Sequence, residues 1–201
     1  MNRTIAKAGA LTVDITVLLF AVCMLIPFSF GSYFVCLLLA IGYLLMAAGI
    51  AAESDREHRV AAVAGMGFGA VYAVLILLVY FVQTTTVRLE PLTDQAAMLL
   101  DYSRGGLMFG YDLLGYGMMA LSTFFLGLTI LAERPVDRWL KRLMMIHGAF
   151  FFGCLIMPMT GAFRSMADGA TSAGGVIALE CWCAYFIPVG VLAFLHFRTE
   201  R

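Results

Sequence analysis

Charged residues are scarce in this sequence. Only 13% of its 201 residues are Asp, Glu, Lys or Arg, and 62% are apolar, whereas soluble globular domains carry about 25% charged residues. The 13 basic and 13 acidic side chains balance, so the basic surplus typical of a nucleic-acid-binding protein is missing. Low-complexity tracts are missing too, and the aromatic content argues against a disordered chain. A mean hydropathy of +0.93 instead indicates a membrane protein.

Short signatures of common enzymes and cofactor sites are also missing. The sequence has no glycine-rich phosphate loop, no His-Glu-x-x-His segment and no Gly-x-Ser-x-Gly elbow. Its five cysteines form no Cys-x-x-Cys pair, and its three histidines form no pair suited to haem or a di-metal site. We therefore expect no cofactor, no metal site and no nucleic-acid partner, and we assign no catalytic residue.

What the sequence does have is long apolar runs separated by clusters of charge. About 20 apolar residues suffice to cross a bilayer as a helix, and the runs are continuous, unlike the alternating strands of a membrane barrel. The sequence therefore predicts an all-α fold, a single integral membrane domain over 1–201 with a bundle of six transmembrane helices. Their predicted ranges are 8–28, 33–52, 62–83, 107–131, 142–162 and 174–197.

The distribution of Lys and Arg predicts the orientation of the bundle, because cytoplasmic loops carry the excess of these residues. With the amino terminus inside, ten basic residues fall on the inner side and three on the outer side. The inner residues are Arg3, Lys7, Arg56, Arg59, Arg134, Arg138, Lys141, Arg142, Arg198 and Arg201, and the outer residues are Arg88, Arg104 and Arg164. We expect a multi-pass protein of the cell membrane with both termini in the cytoplasm (the inner membrane, for a bacterial host). The first apolar run lacks a small-x-small cleavage site, so we expect it to be retained as a helix.

One connection is longer than the rest and has a helical pattern. It runs from about 83 to 106 on the outer side, and Leu92 and Ala96 recur within it at helical spacing. Thr93 is suited to cap the start of such a helix. The sequence predicts a short interfacial helix near 92–102. It either rests on lipid or lies as a lid over the mouth of the bundle.

Ionisable residues inside the spans are the candidate functional residues, because a charge at the centre of a membrane helix costs about 2.5–3.5 kcal/mol and needs a partner or a function. Asp112 and Tyr116 lie on one stripe of the fourth span, and Glu180 lies toward the outer side of the sixth. Together with Arg104 and Arg164, they are predicted to line an outward-facing polar pocket. The alternatives are a tyrosine–aspartate hydrogen bond that locks two helices and an ion pair between Glu180 and one of the two arginines.

Asp14 and His147 form a second candidate pair, toward the inner side. If the first and fifth spans touch, Asp14 can orient or protonate His147, a side chain suited to carry protons near neutral pH. The alternative is a buried pair that only fixes the register of the helices.

Three functions fit these features. The first is a small membrane protein that binds or transports a small polar solute through the outward-facing pocket. The second is a structural or accessory subunit of a membrane complex, in which the acids only pair with arginines. The third is an intramembrane enzyme acting on a lipid, with His147 as general base. The expected partners are the lipid bilayer, a small polar solute and, for an accessory subunit, a membrane protein or a second copy of the chain.

Overall fold

The computed structural model describes residues 1–163 and 173–198, and within them every regular element is helical. The predicted all-α fold is confirmed. The α-helices are α1 (Asn2–Leu25), α2 (Ser29–Ala52), α3 (Arg59–Val82), α4 (Asp94–Leu100), α5 (Leu107–Thr129), α6 (Pro135–His147), α7 (Phe150–Met159) and α8 (Ala173–Arg198). A π-helical segment, Gln83–Val87, continues α3, and a 3-10 turn, Tyr102–Arg104, follows α4.

Six stretches of the described chain are long and apolar enough to cross a membrane, in agreement with the predicted number. They are Asn2–Leu25, Ser29–Ala52, Arg59–Val87, Leu107–Thr129, Pro135–Met159 and Gly175–Arg198. Large apolar side chains such as Leu18 and Val74 are more than half exposed on these helices, as expected for surfaces that contact acyl chains. The chain is thus a multi-pass membrane protein.

The helices pack in a bundle with α1 against α2 and α8, and with α3 against α2 and α5. The α5 helix also contacts α6 and α7. Close approach of α1 and α2 depends on Gly9, because a Cβ atom there would lie 2.5 Å from the backbone nitrogen of Met46. Such contacts between small residues are the usual way in which membrane helices associate.

The fifth span differs most from its predicted range. It begins at Pro135 rather than near 142, and it is interrupted at Gly148 and Ala149 between α6 and α7. Proline suits the first position of a helix, where no backbone N–H is needed. The Asp137 carboxylate reinforces this start by accepting the backbone N–H of Arg134, at 3.3 Å. The charged stretch before 142 is therefore part of the helix.

The predicted short helix of the long connection is present as α4, inside the expected range of 92–102. Its start is capped as predicted, because the Thr93 hydroxyl accepts the backbone N–H of Ala96 at 3.3 Å.

Candidate functional site

Two polar regions lie at opposite ends of the bundle. We call the end that carries the connection between α3 and α5 the cap end. The other end, where the first residues of α1 meet the last residues of α8, is the terminal end. The segment 94–104, which comprises α4 and the 3-10 turn, is called the cap.

The cap is attached to the bundle through Gln83, a buried residue of the π-helical segment. Its side-chain amide donates to the backbone carbonyl of Leu100 at 2.8 Å, and its amide oxygen accepts the backbone N–H of Tyr102 at 3.0 Å. One side chain thus satisfies a donor and an acceptor of the cap's backbone. The cap is therefore bonded to the segment that continues α3, and its role as a lid stays a prediction.

Asp112 lies beneath the cap and is only 3% exposed. The Tyr102 hydroxyl donates to Asp112 Oδ2 at 3.3 Å, whereas Oδ1 is buried and has no hydrogen-bond partner in the described part of the chain. Within 1–163 and 173–198, no Lys, Arg or His forms an ion pair with this carboxyl group. Burial and then the nearby Asp112 raise the pKa of Tyr102 well above its ordinary value, so this phenol stays protonated as a donor.

Three tyrosine rings from three elements meet beside Asp112, and we call them the tyrosine cluster. Ring centroids of Tyr33 and Tyr80 are 5.6 Å apart, those of Tyr33 and Tyr102 are 5.9 Å apart, and those of Tyr80 and Tyr102 are 6.1 Å apart. The Tyr80 hydroxyl also faces the carboxyl group. Asp112 is therefore enclosed by aromatic surface and phenolic hydroxyls rather than by cations.

A surface cleft of about 330 Å³ opens at the cap end. Arg104 is exposed and lines this cleft together with Phe109. The Phe109 ring packs 5.2 Å from the Tyr102 ring, centroid to centroid. Two successive rings therefore connect the cleft with the buried carboxyl group of Asp112.

The five predicted pocket residues are only partly brought together. Asp112 and Tyr116 share α5, where Tyr116 packs between Tyr72 and Trp182 with ring-centroid distances of 5.8 and 5.2 Å. Glu180 is half-buried, and its buried Oε1 has no hydrogen-bond partner among the described residues.

The two arginines of the predicted pocket are not seen to pair with its acids in the described part of the chain. No ion pair joins Arg104 to Glu180 or Asp112 in the described ranges. Arg164 lies outside the described residues. The pocket as a whole therefore stays a prediction. Of its five residues, Asp112 is the one whose surroundings are best defined.

The predicted contact between Asp14 and His147 is not formed within the part of the chain that the structure describes. His147 Nε2 accepts the indole N–H of Trp182 at 3.1 Å, and its Nδ1 lies 2.8 Å from the Thr123 hydroxyl. That hydroxyl lies 2.9 Å from the Ala120 carbonyl, to which it donates, so we place the imidazole proton on Nδ1. Both ring nitrogens are then occupied, and the imidazole has no free lone pair with which to act as a general base.

Asp14 has different neighbours because α1 packs mainly against α2 and α8. Its carboxyl group contacts the backbone of Gly190 on α8. Its Oδ1 atom is buried and lacks a hydrogen-bond partner among the described residues.

The terminal end holds an ionic cluster that sequence reasoning missed, formed by Arg3, Glu53, Arg134, Asp137 and His196. The Arg134 guanidinium binds Asp137 with two bonds, Nη2 to Oδ1 at 2.7 Å and Nε to Oδ2 at 2.8 Å. His196 Nδ1 lies 2.7 Å from Asp137 Oδ1, and its Nε2 lies 3.3 Å from Glu53 Oε2. Arg3 Nε donates to Glu53 Oε1 at 2.9 Å.

This ionic cluster joins α1, the end of α2, α6 and α8. The side chains of Asp137 and His196 are 1% and 2% exposed, and the hydrogen bonds that the Arg134 guanidinium donates to Asp137 raise the pKa of Arg134. A cleft of about 320 Å³ lies beside it, lined in part by Arg3, Glu53 and Phe197. The local signal was the spacing of Arg134 and Asp137 around a helix start, but the remaining partners are distant in sequence.

The chain matches no protein-family model, and comparisons with curated proteins and with solved structures gave no match. Across the described residues, no group of three or more His, Cys, Asp or Glu side chains could hold a metal ion. A buried acid with an unpartnered oxygen, aromatic walls and an adjacent cleft are typical of a small-molecule site.

Proposed function

We propose that this membrane protein binds a small polar solute at the cap end and transports it across the bilayer. Asp112 is the binding group, and the cap is the gate. The observation that carries this proposal is the buried Oδ1 of Asp112, which has no hydrogen-bond partner among the described residues although tyrosine hydroxyls surround the carboxyl group.

An unsatisfied buried polar atom costs about 1–3 kcal/mol, and more when it is charged. A side chain that served only to lock helices together would gain by satisfying both oxygens. Asp112 instead leaves Oδ1 without a partner among the described residues, and its Oδ2 accepts from a Tyr102 hydroxyl that belongs to the cap and not to a transmembrane helix. A single hydrogen bond is worth about 0.5–1.5 kcal/mol, so a solute that offers a stronger partner can displace the hydroxyl.

A second candidate function is that of an accessory subunit held by another membrane protein. It is favoured by α7, which contains no buried residue and exposes Phe152, Ile156 and Met159. This helix has contacts mainly with α5. A protein that purifies in a fixed complex covering α7, and that shows no solute-dependent stabilisation, would match this second function.

We also propose that the cap end faces the outside and the terminal end the cytoplasm, with both termini inside. The support is the excess of Lys and Arg in the sequence on the side of the terminal end. The solute would then enter the cleft from outside the cell.

The proposed function predicts that solute-dependent stabilisation requires Asp112. Purified protein would be unfolded thermally with amino acids, sugars, carboxylic acids and organic ammonium salts as probes. At a concentration of 100 times Kd, a bound solute adds about 2.7 kcal/mol to the stability of the folded state. We expect at least one probe class to stabilise the wild type, and we expect Asp112→Asn to abolish that shift.

Glu90→Gln is the matched control, because Glu90 is an exposed acid near the cap and loses the same charge. It should keep the full shift. The same shift in all three proteins, or no shift of the wild type with any probe class, would contradict the proposal.

A further inference from the structure

We infer that the solute recognised at Asp112 is a small organic ammonium ion, which binds in exchange for a proton on the carboxyl group. This inference rests on the proposed function and narrows the class of solute that it serves.

Charge balance around Asp112 favours a cation. The carboxyl group is 3% exposed, and no Lys, Arg or His of the described chain forms an ion pair with it. A bare carboxylate in such a place would be uncompensated and costly. Without a ligand, the group therefore carries its proton. An ammonium ion can replace the charge of that proton, whereas a neutral solute or an anion cannot.

The groups that face Asp112 from the neighbouring elements do not compete for this exchange. They are Tyr33 and Cys36 on α2, Tyr72 and Tyr80 on α3, Tyr102 in the cap, Tyr116 on α5 and Cys154 on α7. Phenols and thiols are neutral at neutral pH. Asp112 is thus the acid of this set that can release a proton to the solvent when the cation binds, so that the net charge of the site stays constant.

Aromatic surface around the acid favours an organic cation over an inorganic one. The Tyr33, Tyr80 and Tyr102 rings meet with centroid distances between 5.6 and 6.1 Å. The negative faces of aromatic rings attract ammonium groups, and aromatic cages are used to bind quaternary ammonium ligands. A small metal cation would instead need several oxygen ligands, and no group of three or more His, Cys, Asp or Glu side chains among the described residues could hold a metal ion.

Entry to the site involves Tyr102. The cleft of about 330 Å³ ends at Phe109, whose ring packs on Tyr102. The ammonium group takes the position in which the Tyr102 hydroxyl now donates to Asp112. Arg104 at the cleft is exposed, so water and salt screen its charge from the entering cation.

The test compares choline chloride with its neutral carbon isostere, 3,3-dimethyl-1-butanol, on the purified full-length chain. Thermal unfolding measures binding, and a weakly buffered solution with a pH indicator measures released protons. We expect choline to raise the Tm and to release about one proton per bound cation, and we expect the isostere and sodium chloride to do neither. Lowering the pH should weaken choline binding, because protons compete for the same carboxyl group.

Variants distinguish binding at Asp112 from stabilisation by choline that does not depend on this residue. Asp112→Asn should lose both the Tm shift and the proton release, and Glu90→Gln should keep both. Tyr102→Phe retains the ring but removes the hydroxyl that the cation must displace, so choline should bind it several-fold more tightly. This variant keeps the test decisive if Asp112→Asn does not fold.

The outcomes distinguish this inference from the proposed function. Equal shifts with choline and its isostere, choline binding without proton release, or no gain in Tyr102→Phe would overturn the inference. Asp112-dependent binding of a sugar or a carboxylic acid, without binding of choline, would overturn it and leave the proposed function standing. No shift with any probe class would overturn both.

Discussion

The Gly190 position of α8 determines where the Asp14 carboxyl group can lie. A Cβ atom at Gly190 would overlap Asp14 Oδ1, so the missing side chain provides the space for the carboxyl group. Asp14 is thus placed by the shape of the neighbouring helix. An interaction that depends on a missing side chain has no signature in the sequence, which explains why His147 was the predicted neighbour.

Substitution of Gly190 tests this placement. Gly190→Ala should lose the stabilisation of about 1 kcal/mol that alanine brings over glycine within a helix, because the added methyl group forces the Asp14 carboxyl group to move. Thermal or denaturant unfolding of the purified protein measures this loss. The loss should shrink when Asp14→Ala is combined with it, since the two residues are in contact and their effects are coupled.

Gly67→Ala is the control for the change in helix propensity. A Cβ atom there meets no other atom within 4 Å, and alanine is the better helix former by about 1 kcal/mol. Equal stability of Gly190→Ala and Gly67→Ala would show that α8 does not approach Asp14.

Residue types alone singled out His147 and Asp112, but they did not predict the partners of these two side chains. Both were recognised as candidates because an ionisable side chain in an apolar run is conspicuous. Their actual partners include Thr123, Trp182 and Tyr102, which are ordinary components of membrane helices and their borders. The sequence therefore identified the acid and the imidazole, but the partners depend on which helices are neighbours.

At the level of elements, the cap combines a predictable helix with an unpredictable attachment. Periodicity and a capping threonine are local features, and they predicted α4 correctly. The attachment of the cap to the bundle depends on Gln83, which bonds to Leu100 and Tyr102 across 17 and 19 residues of chain. A single buried amide gives no periodic signal.

Removal of that amide should release the cap. Gln83→Leu keeps the side-chain size but leaves the Leu100 carbonyl and the Tyr102 N–H without their partner. We expect the free energy of local opening of segment 94–104 to fall by about 1–3 kcal/mol, the value of two lost hydrogen bonds. Amide hydrogen exchange of the cap peptides measures this change.

Thr84→Val is the matched control, because the hydrogen bonds of the Thr84 hydroxyl within the described chain go to the carbonyls of Tyr80 and Phe81, one turn back along the same span. Its cap should exchange as slowly as that of the wild type. Unchanged exchange in Gln83→Leu would mean that the cap is held by other contacts.

In the molecule as a whole, polar groups lie at both ends of an apolar bundle. Six spans were predictable because apolar length is a local property of the chain. The ionic cluster at the terminal end was not, since Asp137 and His196 are 59 residues apart in sequence and approach each other only after α6 and α8 have packed. The cluster bonds α1, the end of α2, α6 and α8 to one another at this end, whereas Asp112 Oδ1 at the cap end has no hydrogen-bond partner among the described residues.

The two ends of the bundle should also lie on opposite sides of the membrane, and this can be measured with single cysteines. Glu57 and Glu90 are both exposed acids in connections, the first at the terminal end and the second at the cap end. In intact cells, a membrane-impermeant maleimide should label Glu90→Cys, and it should label Glu57→Cys only after permeabilisation. The native cysteines, all within helices, give the background on wild-type protein. The reverse pattern would invert the proposed orientation and leave the spans intact. Labelling of both positions in intact cells would place them on the same side of the membrane. That result would contradict the assignment of α3, which lies between them, as a membrane span.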